Sequence, residues 1–154
     1  MTINLYVQEH EFSTILVCID GSENSTRVAY SAISVASKYD SKIIALTVLN
    51  VSDIYDIVKR KDNLKHAAYG EKIQNPKDLL NDIAQKAQAM GVALKTEILN
   101  TKQRPEKAIL EYSQKENADL IVVGTGDSKI KKILIGSVAS HIIANAKCTT
   151  MVVR

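Results

Sequence analysis

Two short stretches of the chain carry residue types that could do chemistry. The first is Gly124–Ser137, "GTGDSKIKKILIGS", which leaves the apolar run Leu120–Val123 and enters the segment "VASHIIANA". Gly124 and Gly126 let a backbone come close to a ligand and can take positive φ. Gly136 and Ser137 stand where a helix should begin, and there free N–H groups and the helix dipole favour an anion. Ser137 adds a hydroxyl, while Lys129, Lys131 and Lys132 keep the stretch positive. Together these make a cradle suited to phosphate. Each part also has an ordinary use. Glycine after a strand is turn chemistry, serine is a frequent helix cap, and the lysines can face water between packing residues Ile130, Ile133 and Leu134. The loop is not a G-x-x-x-x-G-K-[ST] sequence, and it lacks the third glycine of the dinucleotide fingerprint. The second stretch is Asp20-Gly21-Ser22, which closes the apolar run "TILVCID". Its Asp20 is either a carboxylate at a binding crevice or a turn and capping residue.

No other constellation competes with these. His10, His66 and His141 lie far apart in sequence, and His141 falls within a predicted helix. No nucleophile and base stand together in the way catalysis requires. Cys18 and Cys148, the only cysteines, each sit in or beside a predicted buried strand and read as small buried hydrophobes rather than a disulfide or metal pair.

The elements that would position the two stretches follow from hydrophobic patterning. Thr14–Asp20 and Leu120–Val123 are short continuous apolar runs, the mark of strands buried on both faces. Lys42–Val51 is a third. Between the first two strands, Val28, Ala29, Ala32, Ile33, Val35 and Ala36 recur at helical spacing, with Ser22 or Asn24 as the cap. Pro76 opens a helix that Gly91 stops. Val92–Leu99 alternates apolar and polar, as a strand at a sheet edge does. Pro105 opens a further helix with Ile109, Leu110 and Tyr112 on its apolar side. Ser137–Ala146 is a helix, and "TTMVVR" a last strand. Residues 52–75, with "KRKDNLK" at their centre, show no clear period and read as a long variable segment with a solvated charge run.

Strands alternating with helices require parallel pairing and right-handed crossovers. The expectation is an α/β fold: a doubly wound, five-stranded parallel sheet in a Rossmann-like three-layer sandwich. At 154 residues, one domain is expected, with residues 1–12 as an N-terminal extension. A hydrophobic fraction of 45% with one Phe and no Trp makes the core aliphatic. The formal charge of +3 is too small, and too scattered, to argue for nucleic acid. No apolar stretch reaches the roughly 18 residues of a membrane span. The start "MTINLYVQEHEF" lacks the pattern of a signal peptide, so a cytoplasmic protein is expected.

In an open α/β sheet, ligands bind beyond the carboxyl ends of the strands where the winding reverses. A strand order of 3-2-1-4-5 makes the first and fourth strands neighbours at that reversal. Asp20 and the glycine loop then flank one crevice.

From "ILVCIDGSENS" to "TTMVVR" the chain resembles the universal stress proteins. Their ATP-binding members carry G-x2-G-x9-G-[ST] after the fourth strand; here Gly126, nine residues, Gly136 and Ser137 match the second half. Gly124 and Gly126 are separated by one residue rather than two, and Ala139 stands where such relatives often have a hydroxyl. The resemblance implies ATP, with Mg2+, as the ligand. It implies Asp20 near the ribose, Ile19 beside the base and Val48 against adenine. Gly124 and Gly126 would line the triphosphate, with Gly136, Ser137 and Val138 supplying amides and a hydroxyl. It also implies a homodimer in which Thr149–Val153 pairs antiparallel with its copy. Three functions stay open on this reading: a nucleotide-binding regulatory protein, a slow ATPase, and a dimeric interaction module that does not bind ATP.

Overall fold

A computed structural model describes residues 12–51, 76–126 and 135–154. Most of the N-terminal extension, the segment 52–75, and Lys129 to Leu134 with their lysines and packing residues lie outside the described residues, as do His10 and His66. Five parallel strands form one sheet in the order β3-β2-β1-β4-β5. They are β1 (Thr14–Cys18), β2 (Lys42–Asn50), β3 (Leu94–Thr101), β4 (Leu120–Gly124) and β5 (Thr149–Val153). The helices bounded within the described residues are α1 (Ser25–Tyr39), α2 (Pro76–Ala89), α3 (Pro105–Lys115) and α4 (Ser137–Asn145).

Alternation along the strands sorts the core into two layers. Ile15, Val17, Ile43, Ala45, Leu120 and Val122 meet α1 and α2 on one face. Leu16, Ile44, Leu46, Ile121 and Val123 meet α3 and α4 on the other. Each fully buried aliphatic side chain contributes about 1.5–3 kcal/mol. On α1, Ala29, Ala32 and Ala36 turn to the sheet and let the helix lie close. At the amino ends of β1 and β4, the Asp119 carboxylate accepts the N–H groups of Ser13 and Thr14 at 2.9 and 2.8 Å.

Two boundaries differ from the sequence expectation. β1 stops at Cys18, short of Asp20. The Ile19 N–H still donates to the Leu46 carbonyl at 2.9 Å, but the chain then turns through Gly21, at φ +80°. β3 runs over Leu94–Thr101 rather than starting at Val92, because the Val92 N–H is spent on the Ala87 carbonyl at 2.9 Å, closing α2. The chain turns there through Gly91, at φ +69°.

Candidate functional site

The carboxyl ends of β1 and β4 are neighbours, with Leu16 beside Ile121 and Val17 beside Val122. The β1–α1 turn therefore stands next to the exit of β4. One oxygen of Asp20 organises that turn: Oδ1 accepts the Ser22 N–H at 3.0 Å and the Ser25 hydroxyl at 2.9 Å. Ser25 Oγ, in a side chain 2% exposed, accepts in turn the Gly21 N–H at 3.1 Å. Among the described residues, Asp20 Oδ2 receives no donor. One carboxylate oxygen thus serves as turn and cap, and the other, without a donor among the described residues, can meet a hydroxyl or a cation. Asn24 is the N-cap residue of α1, but its side chain does not cap the helix. Asn24 Nδ2 crosses to the edge strand and donates to the Val153 carbonyl at 3.1 Å.

At the exit of β4, the glycines do different work. A Cβ on Gly124 would lie 2.9 Å from Val28 Cγ2 and 3.2 Å from Asn24 Nδ2. Gly124 is the residue that lets α1 pack down. Gly126 has φ +81° with open space where a side chain would be, so conformation alone demands glycine there. The Thr125 N–H donates to the Val153 carbonyl at 3.2 Å, and the Thr125 carbonyl accepts the Gly136 N–H at 3.0 Å. A Cβ on Gly136 would sit 2.8 Å from that same carbonyl oxygen. The two ends of the loop are therefore clamped together, and the clamp pins the amino end of α4 beside the end of β4.

No side chain caps α4, and its first return bond is Ser140 N–H to the Gly136 carbonyl at 2.9 Å. Among the described residues, the amides of Ser137, Val138 and Ala139 have no acceptor. Ser137 is exposed, Val138 half-buried and Ala139 buried. Such a helix end is a ready site for negative charge.

The wall on the α3–α4 side is apolar. Cys18, Val48, Leu99 and Val138 are half-buried against the same cluster. Ile19, expected beside a base, turns its side chain to the opposite layer under α1 and is 3% exposed. Its place on this wall is taken by Cys18, which sequence reading had assigned simply to the core. Strand alternation was the available signal: if Ile19 is under α1, Cys18 faces the other way. Burial, with the charge of Asp20 adding to it, pushes the Cys18 thiol up to about 12. Sequence also passed over Glu106, because a glutamate in a first helical turn is ordinarily solvated. Here it is 3% exposed, and its Oε1 lies 2.5 Å from Arg104 Nη2 without a well-directed hydrogen bond.

Asp20, Val48, Gly124, Gly126, Gly136, Ser137 and Val138 thus gather at one end of the sheet; Ile19 stands at the same end, but its side chain is in the layer under α1. Among the described residues, no three His, Cys, Asp or Glu side chains cluster as metal ligands. A cation here would be held by one carboxylate together with a ligand's own oxygens and water. Two open grooves lie elsewhere. One, of about 480 Å³, runs along α1 past Arg27 and Tyr30. The other, of about 380 Å³, lies between Leu80 of α2 and Ile98 of β3. No helix among the described residues is long and apolar enough to cross a membrane.

Comparison with known proteins agrees with this architecture. Residues 11–154 match the family model described as the universal stress protein family. A universal stress protein of Methanocaldococcus jannaschii is 33% identical over 148 residues, which cover 95% of this chain and 84% of the relative. The solved universal stress protein UspA of Lactobacillus plantarum superposes with a TM-score of 0.73 at 26% identity, over 94% of this chain and 99% of that one. A universal stress protein solved in complex with cAMP shares the fold, with a TM-score of 0.65 at 23% identity over 94% and 98% of the two chains.

Proposed function

The chain belongs to the universal stress protein family, and from that premise we propose that it is a regulatory protein that holds an adenine nucleotide between the Asp20 turn and the amino end of α4. ATP with Mg2+ is the ligand of this reading. The observation that carries it is the clamped start of α4. The Gly136 N–H bond to the Thr125 carbonyl, at 3.0 Å, holds the start of α4, whose first three amides have no acceptor among the described residues, on the side of the sheet end where the Asp20 turn stands. Phosphates would meet the amides of Ser137, Val138 and Ala139, and the ribose or the metal ion would meet Asp20. The base would lie against Cys18, Val48 and Val138. The cAMP-bound relative supports adenine as the base.

The same reading makes the protein a homodimer. β5 is an edge strand of the sheet, short and β-branched, and pairing it with a second copy would close an edge that otherwise invites aggregation. A second reading, an interaction module without nucleotide, is favoured by one observation: Gly124 is committed to packing against Val28 rather than to a ligand.

Mass spectrometry of the mildly denatured, purified protein, with titration calorimetry against Mg-ATP, separates the two. ATP should bind, and Gly136→Val should abolish binding while circular dichroism shows the fold retained. Asp20→Ala serves as the second variant if Gly136→Val fails to fold. A wild-type protein that neither carries nor binds a nucleotide refutes the proposal. Phosphate release above a buffer control, lost in Asp20→Ala, would make the protein an ATPase instead.

A further inference from the structure

The Val153 carbonyl is a junction. It accepts one hydrogen bond from Asn24 Nδ2 at 3.1 Å and another from the Thr125 N–H at 3.2 Å. Both are longer than the usual N–H···O distance of about 2.9–3.0 Å. The two donors belong to the two rims between which the nucleotide would lie. Asn24 stands at the amino end of α1, directly after the Asp20 turn. Thr125 follows β4 and is clamped by its own carbonyl to Gly136 at the start of α4. The acceptor belongs to neither rim. It sits on the last residue of β5, the strand at the sheet's edge.

We infer that Val153 passes crevice occupancy to the C-terminal edge strand, with Asn24 as the positioning residue that makes the connection. This inference rests on the nucleotide reading above. The physical reason is geometric. A carbonyl oxygen has two lone pairs and accepts both bonds only while the donors keep their spacing. Among the described residues, no hydrogen bond or ion pair joins the Asp20 turn directly to the start of α4; the two rims meet through the Val153 carbonyl and through Gly124 packed on Val28. A ligand that touches Asp20 at one end and the α4 amides at the other cross-links the rims. It thereby holds both donors on Val153, and β5 becomes harder to lift from β4. By linkage, anything that fastens β5 then tightens the ligand by the same factor. A second tether gives an internal control. Arg27 Nη1 donates to the Arg154 carbonyl at 2.8 Å, so it holds the chain end from α1 without touching Val153.

The test is hydrogen exchange of the full chain, read by mass spectrometry on the peptide covering β5, with and without saturating Mg-ATP. Titration calorimetry runs in parallel on the wild type, Asn24→Ala and Arg27→Ala. In the wild type, ATP should slow exchange in β5 by about fivefold or more, the lower end of ordinary coupling between sites. Arg27→Ala should respond as the wild type does. Asn24→Ala should bind ATP yet show no ATP-dependent protection in β5. Asn24→Asp, which keeps the size and favours a helix start but has no N–H to donate, should behave like Asn24→Ala and covers a folding failure of that variant. Equal ATP-dependent protection in Asn24→Ala and wild type overturns the inference. So does ATP binding to the wild type without any change in β5, and so does loss of ATP binding in the Asn24 variants. Absence of ATP binding in the wild type, seen by calorimetry alone, refutes the nucleotide reading and takes this inference with it.

Discussion

The role of Gly124 can be decided by a double-mutant cycle with Val28. Replacing Gly124 by Ala places a methyl group 2.9 Å from Val28 Cγ2, where carbon atoms prefer about 3.5–4.0 Å. Val28 is 2% exposed, and a β-branched side chain in a helix has essentially one rotamer, so it can neither swing away nor retreat. Overpacking of this kind costs about 1–3 kcal/mol, and the stiffer unfolded chain of an alanine returns about 0.4–1 kcal/mol. A net loss of about 1–2 kcal/mol is expected for Gly124→Ala. Val28→Ala removes two buried methyl groups and should cost about 2–3 kcal/mol, transfer and cavity together. In the double variant the new methyl enters the space the old ones left. Its cost should fall short of the sum of the single costs by about 1–2 kcal/mol. Urea unfolding of the four proteins, with slopes compared to verify two-state behaviour, measures this directly. The double variant should bind Mg-ATP as the wild type does. Costs that add within about 0.5 kcal/mol would refute the packing account. A Gly124→Ala protein of unchanged stability that has lost ATP would show that the glycine is kept for the ligand.

Three further outcomes follow from the same geometry. Between pH 9 and about 12, the Cys18 thiol ionises in the unfolded chain while the folded one stays protonated. The unfolded state then binds fewer protons, so stability falls with rising pH, by up to about 1.4 kcal/mol per pH unit. Cys18→Ala should flatten that slope in urea unfolding at pH 8 to 10 under reducing conditions, and an unchanged slope would contradict the shift. Gly126→Ala should lose about 1–2 kcal/mol purely from its positive φ, with no clash to relieve, and Gly126→Asn less, as judged by thermal unfolding. Arg104→Ala should cost about 1 kcal/mol by leaving Glu106 Oε1 buried without its cation; the exposure of Arg104, 76%, keeps the figure below that of a fully buried pair. Glu106→Ala added to it should recover part of the loss in the same assay.

The sheet was legible because its strands are written locally. "TILVC", "KIIALTVLN" and "LIVVG" are apolar throughout, and each is separated from the next by at least one helix whose buried stripe can be counted off in sequence. Parallel pairing then follows from the need for crossovers. The site was legible only as a set of positions. Asp20, Gly126, Gly136 and Ser137 announce themselves through turn and helix-start chemistry, which depends on near neighbours. What each atom does is decided by partners that sequence does not adjoin. Gly124 reads as a phosphate-loop glycine until α1 is laid over it and Val28 claims the space. Cys18 ends β1 and Ile19 follows it with its side chain on the opposite face of the sheet, and a slip of one position exchanges the two layers. Asn24 is the sharpest instance. Its type and place mark it as a helix cap, yet its amide serves a carbonyl 129 residues away. Local rules supply the candidates, and the pose of one helix chooses among them. The residues whose expected roles shifted, Ile19, Asn24 and Gly124, all belong to the junction of α1 with the ends of β1, β4 and β5. Substitution of Asn24 should therefore report on how the edge strand responds to the ligand, whereas substitutions on the α3–α4 wall should report on the base alone.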